Sequence, residues 1–302
     1  MATTAEVDAL GSELEQAIRT RRHPLRSLAT VARRNPLGVV GLLIILTLTI
    51  VAVFAPLIAP FDVGDFRAGQ PKEDPSWTHL FGTDGLGHDV FSRVVHGTRI
   101  SMTIAVLSVG GGTIIATVLG IISGYLGGVV DSIIQRFVDT AIAFPILLLL
   151  LILAQVLGPS MQTVIIAVGI AFIAPVTRVV RGAVLSERNN QYVEAARALG
   201  ATTPRILIRH IAPNVVALAI IIATTLLGTA ILAEAALSFL GLGIPVPNPS
   251  WGTDVSLARA SPPFHIWWAF FPGAAITVTV LGFNLLGDSL RDIFDPRLRG
   301  RL

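Results

Sequence analysis

The chain has 302 residues, 53% of them hydrophobic and 14% charged, with 22 basic against 19 acidic side chains and a mean hydropathy of +0.74. Soluble domains carry about a quarter charged residues, so this composition excludes a single water-facing globule. The absence of cysteine excludes disulfide scaffolds, Cys-based metal centres and thiol catalysis, and the one lysine, in Gly69-Gln70-Pro71-Lys72-Glu73, leaves no GxxxxGK[ST] loop for nucleotide phosphates.

Residues 1–34 are polar. Val7, Leu10, Leu14 and Ile18 share one helical face. His23-Pro24 breaks the pattern, and Leu25, Leu28 and Val31 restart it between Arg22, Arg26, Arg33 and Arg34. The segment reads as a cytoplasmic amphipathic helix on the membrane surface or as a solvated tail. Beyond it, five blocks (37–61, 100–130, 140–177, 211–233 and 266–287) hold no Asp, Glu, Lys or Arg, and about 20 apolar residues suffice to cross a bilayer core. The first span is predicted over 37–59, within a segment 35–60. It is too long for a signal-peptide core and is retained as a helix. Residues 61–99 form a polar extracytoplasmic loop.

The second span, 101–126, is rich in small residues that allow close helix approach. A turn at Gly127-Gly128 leads to a third span over 137–157, kinked at Pro145. Gly158-Pro159-Ser160 then separates off a fourth over 161–177. A basic loop, 178–210, precedes an apolar run over 211–243 interrupted by Glu234. That run exceeds one crossing, so the fifth span must project from the lipid or be followed by a half-helix. Residues 244–265 form a Pro-rich loop, the sixth span covers 266–287, and 291–302 is a charged tail. The prediction is an all-α polytopic membrane protein of six spans, with a five-helix unit over 100–290.

Six spans place both termini on one side. The N-terminal segment holds six arginines, the 178–210 loop six and the C-terminal tail four, against four basic residues in 61–99 and one in 244–265. The positive-inside rule puts both termini and the 178–210 loop in the cytoplasm. Arginines beside apolar blocks suit membrane topology and do not form a nucleic-acid footprint.

Within that basic loop, Asn189 or Asn190 is placed to cap a helix, Glu194 lies in its early turns and Gly200 is placed to end it. A helix this short is marginal alone and needs a partner surface. Glu194-Ala195-Ala196, three residues, Gly200, then His210-Ile211-Ala212-Pro213-Asn214 resembles the EAA loop of ABC importer permeases, and the His and Asn flanking the last turn resemble the peptide/nickel class. Phe81-Gly82-Thr83-Asp84-Gly85-Leu86-Gly87-His88-Asp89, Gly124-Tyr125-Leu126-Gly127-Gly128, Leu237-Ser238-Phe239-Leu240-Gly241-Leu242-Gly243 and Gly287-Asp288-Ser289-Leu290-Arg291-Asp292 are similar to further blocks of that class, in the same order.

The resemblance implies a type I ABC importer permease that works beside a homologous second permease, two ATPase subunits and an extracytoplasmic substrate-binding protein. ATP and Mg would be bound by the ATPase subunits, with no cofactor in this chain. It also implies that the short helix docks on an ATPase, through Tyr192, Glu194, Ala195, Ala196, Arg197 and Leu199, with Gly200 supplying the turn and Pro213 starting the fifth span.

Three polar residues in spans are weighed as pathway contacts, because charge in a bilayer is costly and often functional. Asp139 has Arg136 one turn away for an i,i+3 pair. Glu234 either faces the pathway or bonds the backbone of the segment that follows it. Asn284 suits an interhelical hydrogen bond. The histidines at 79, 88, 96, 210 and 265 show neither metal-ligand spacing nor a carboxylate at a catalytic interval, and no enzyme active site is read here. The rival function, an ion-driven secondary transporter, calls for midplane acidic residues and inverted repeats. An intramembrane enzyme calls for paired Ser/His or Asp/Asp. Neither pattern is visible.

Overall fold

The computed structural model describes residues 35–65 and 68–294. The segment expected to be amphipathic over 1–34 and the tail from 295 lie outside the described residues. Among those described there are helices and one isolated bridge, Thr83 to Asp89, but no strand. Helix α1 is Pro36–Val53, with Pro36 in the first turn where a missing N–H costs nothing. After a break at Phe54 the chain continues as α2, Ala55–Ile58. Apolar residues surround α1, and only Gly38, Gly41 and Ala52 are buried. A Cβ at Gly41 would meet the Leu286 nitrogen at 2.7 Å and the Gly282 oxygen at 2.8 Å, so glycine sets how closely α1 lies on the last helix.

Helix α3, Val90–Leu126, begins before the expected residue 101. Asp89 starts it: its Oδ2 accepts from the Ser92 N–H and hydroxyl, both at 2.8 Å. At 1.5 Å per residue its 37 residues reach about 55 Å, well beyond a hydrocarbon core of about 30 Å. Helix α4, Gly128–Ala143, follows after the single residue Gly127 at φ +67°. The expected kink at Pro145 is instead an elbow: α4 and α5, Ile146–Leu157, are bent by 94°. Phe144 and Pro145 are extended, as proline imposes on itself and on the residue before it. Meanwhile α4, which carries Asp131, Arg136 and Asp139, is tied to the next helix by ion pairs.

That helix, α6, runs Met161–Glu187 and so absorbs the first ten residues of the expected basic loop. Arg181 clamps Asp131 through two 2.6 Å hydrogen bonds and Arg178 pairs with Asp139. Charges matched in this way do not end a helix. The short α7, Gln191–Ala198, lies where a short helix was expected. Beyond it, α8 (Thr203–Ile206), a π-helical turn (Leu207–Ile211) and α9 (Ala212–Phe239) form one nearly continuous rod. Two bonds close α9, from Leu242 N–H to Leu237 O at 3.0 Å and from Gly241 N–H to Ser238 O at 3.1 Å, with Gly241 at φ +80°. The Pro-rich loop over 244–265 contains a helix, α10, Trp251–Ala260. The last helix, α11, is Ile266–Phe294 and outruns its expected end at 287.

Helices α3 and α6 form the most extensive pair, with Gly112 on Gly169 and Gly120 on Val180. A Cβ at either α3 glycine would come within 2.6 Å of the facing helix. Around them α9, α11 and α1 complete the bundle. Its main core joins Ile104, Leu150, Phe172, Ile231, Leu237 and Trp251. A second cluster, at the α7 end, joins Val176, Val180, Val184, Val193, Ile206 and Ile211. Among the described residues five helical segments are long and apolar enough to cross a membrane, or six when the bent α4–α5 pair is counted as one span.

Candidate functional site

The α7 helix is held by few groups. Asn190 precedes it in extended backbone without capping it through its side chain. Its amide instead donates to Glu187 Oε2 at 2.7 Å. Glu194 in the first turn and Arg197 in the last each match the sign of the helix dipole. At the C-terminus the Ala201 N–H bonds Ala196 O and the Gly200 N–H bonds Arg197 O, both at 3.0 Å. This closure needs a left-handed residue, and Gly200 has φ +78°. Of the eight helical residues only Val193 is buried, plugged into the apolar cluster at the base of α6 and α9.

The rest of α7 points away from the bundle. Tyr192, Glu194, Ala195, Arg197 and Gly200 are exposed and Ala196 is half-buried. Leu199 is 88% exposed, a poor place for a leucine unless another surface covers it. A groove of about 470 Å³ brings Tyr192, Ala195, Ala196, Leu199 and Gly200 together and places Arg205, Arg209 and His210 on its other wall. Glu194 and Arg197 stand outside the groove, and Pro213 lies in the first turn of α9, away from it. The shape suits an apolar knob with acidic neighbours. The arginines of the far wall are i,i+4 on the rod that starts at Thr203, a spacing visible in the sequence that the reading did not use.

Glu187 and Asn214 were also missed. The Tyr192 hydroxyl donates to Glu187 Oε2 and accepts from Asn214 Nδ2 at 3.0 Å. Partial burial, with the adjacent Glu187 carboxylate, raises the Tyr192 phenol above its ordinary pKa.

The three polar residues weighed as pathway contacts are not brought together. Glu234 is fully buried and satisfied by hydroxyls: Oε1 accepts from Ser250 at 2.7 Å and Ser238 at 2.9 Å, and Oε2 from Ser101 at 3.0 Å. It bonds side-chain hydroxyls and not the following backbone, joining α3, α9 and the start of α10. Asp139 pairs with Arg178 across to α6, not with Arg136 along its own helix. Asn284 is exposed, its Oδ1 beside Gly228, and no hydrogen bond links it to another helix.

At the other end of the bundle, charges are buried and paired. Arg93 donates to Asp254 Oδ1 from Nε at 2.8 Å and from Nη2 at 2.5 Å, joining α3 to α10. His88 Nδ1 lies 2.6 Å from Asp84 Oδ2 and His79 Nδ1 lies 3.0 Å from Asp89 Oδ1. With His265 Nε2 3.3 Å from Asp74 Oδ1, three histidines do have carboxylate partners, and the first two brace the loop that starts α3. Lys72 Nζ donates to the carbonyls of Ser261, Pro262 and Pro263 at 3.1, 2.9 and 3.2 Å. Among the described residues no group of three His, Asp or Glu side chains has metal-ligand geometry.

Apolar crossings packed through glycines, one broken at an elbow, with a short outward-facing helix between two of them, define a multi-pass helical membrane protein. Residues 116–300 match the family described as the binding-protein-dependent transport system inner membrane component, and residues 26–74 match the N-terminal transmembrane domain of oligopeptide transport permease C. The chain is 41% identical over 276 residues to the dipeptide transport system permease protein DppC of Alkalihalophilus pseudofirmus, covering 91% of each chain. It is 42% identical to the oligopeptide transport system permease protein OppC of Bacillus subtilis, covering 88% of each, and 42% identical to the glutathione transport system permease protein GsiD of Escherichia coli, covering 89% of each. The chain belongs to the family of binding-protein-dependent transport system inner membrane components. It is a transmembrane permease subunit of an ABC importer, multi-pass in a bacterial-type plasma membrane.

Proposed function

We propose that this permease carries peptides or similar small solutes inward, forms half of the pathway with a homologous second permease, and takes its energy from two ATPase subunits that dock on α7. An extracytoplasmic binding protein delivers the solute. ATP and Mg belong to the ATPase subunits, and this chain hydrolyses nothing. Both termini and α7 face the cytoplasm, in line with the arginine distribution. The observation that carries the docking reading is the eight-residue helix with Val193 as its one buried residue and Leu199 88% exposed beside a groove. The peptide class rests on the dipeptide and oligopeptide transport named for two relatives.

In this mechanism an apolar knob of the ATPase fills the groove, covering Leu199 and the Ala195/Ala196 face. Burying such surface returns roughly 25 cal/mol per Å². When ATP closes the two ATPase subunits, α7 is carried with them, and the rod from Thr203 to Phe239 converts that displacement into reorientation of the spans. Uptake of a radiolabelled dipeptide into membrane vesicles containing the full assembly should require ATP and stop with orthovanadate. Vanadate-insensitive uptake driven by an ion gradient would overturn the reading in favour of a secondary transporter.

A further inference from the structure

Side chains from three successive helical segments meet at one oxygen beside α7. The Tyr192 hydroxyl donates to the carboxylate of Glu187, the last residue of α6. It accepts from the amide of Asn214, in the first turn of α9, at 3.0 Å. Asn190 donates to the same Glu187 Oε2 at 2.7 Å, so the carboxylate is held from both sides by charge-assisted bonds. The other grip of α7 on the bundle is Val193, an apolar contact without direction. The rod that continues into α9 changes pitch at the π-helical turn Leu207–Ile211, and such turns mark weak points in helices. Asn214 lies just past that turn.

We propose that the Tyr192 hydroxyl is the joint through which displacement of α7 reaches α6 and α9. It is a positioning residue for transport, and the proposal rests on the reading that α7 docks on an ATPase. When α7 moves, the hydroxyl draws the end of α6 through Glu187 and turns the start of α9 through Asn214, with the π-helical turn absorbing the strain. Without the hydroxyl, α7 keeps its docking groove and its Val193 plug, follows the ATPase, and leaves the spans behind.

The sequence has no cysteine, so one introduced thiol reports one position. In the assembly purified through this chain, Ala196→Cys reports docking by cross-linking to the ATPase. In a separate variant, Ile220→Cys on the exposed face of α9 reports movement of the span by its maleimide labelling rate, with and without ATP and vanadate. The expected result is that Tyr192→Phe, which keeps the ring that lines the groove, still forms the Ala196→Cys cross-link but loses the ATP-dependent change in labelling at Ile220→Cys. Asn214→Leu gives the same loss, and the double variant is no worse than either single one, as for side chains acting as a unit. A Tyr192→Phe assembly that labels like the parent overturns the proposal, as does a parent whose labelling ignores ATP. Loss of the cross-link only in Tyr192→Phe also overturns it, since the hydroxyl would then shape the docking face. A cross-link absent even from the parent sinks the docking reading itself, a failure distinct from the others.

Discussion

The two ends of the bundle are stabilised in opposite ways. At the α10 end, charges are buried and matched: Arg93 with Asp254, His88 with Asp84, His79 with Asp89, and Glu234 under three serine hydroxyls. At the α7 end the polar groups are largely exposed, one buried valine and the Tyr192 hydroxyl hold an eight-residue helix, and a leucine stands in the open. Buried ionic groups that are paired define one geometry, because any displacement strands a charge away from water. A helix resting on one apolar plug and a few hydrogen bonds loses little when it shifts. The first end is built to stay in place, and the second to be taken hold of.

Substitutions at each end test this contrast. The largest effect on stability is expected for Asp254→Ala, which leaves the buried Arg93 guanidinium with only Asp84 at 3.9 Å and costs about 3–5 kcal/mol; thermal unfolding of the detergent-purified assembly should show a much lower midpoint and reduced abundance. Glu234→Ala should cost about 1–3 kcal/mol by stranding three hydroxyls, whereas Glu234→Gln, whose amide oxygen still accepts from two of them, should lose less in the same assay. Gly200→Asp forces a side chain into left-handed backbone, at roughly 1–2 kcal/mol, and nothing within 4 Å obstructs its Cβ. Its abundance should therefore stay near normal while solute uptake is abolished, the reverse of the pattern at Asp254. Normal uptake by Gly200→Asp at parental abundance would remove α7 from the mechanism. The smallest effect belongs to Asp139→Asn, since that pair with Arg178 is about half exposed and surface ion pairs contribute about 0–1 kcal/mol. A large loss of stability there would show that α4 is clamped more firmly than its exposure implies.

Much of the α7 region was legible because its signals are local. A start at Asn189 or Asn190, Glu194 in the first turn and Gly200 past the end are fixed offsets within one helix, although neither asparagine caps it through its side chain. The errors lie where the deciding partner is remote. Uncharged blocks put the boundaries of α3 and α6 too close to the lipid, since Arg93, Arg178 and Arg181 are neutralised by Asp254, Asp139 and Asp131 from other helices. Asp139 had a sequence neighbour of the right charge and was assigned to it, but its actual partner is on α6. Glu234 is read correctly only once Ser101, from a distant helix, is known to face it. Pro145 announced a distortion, but 94° rather than a mild kink follows from how α4 is tied down. The Tyr192 joint escaped notice because Glu187 and Asn214 come from the ends of two different spans.

Lys72 carries the only lysine amine in the sequence, and three backbone carbonyls already hold it. A side-chain nitrogen held this way is poorly placed to attack an acylating reagent. The rate at which Lys72 is acylated is therefore a built-in clock for the parting of residues 261–263 from the loop before α3, readable by mass spectrometry without introducing any label site.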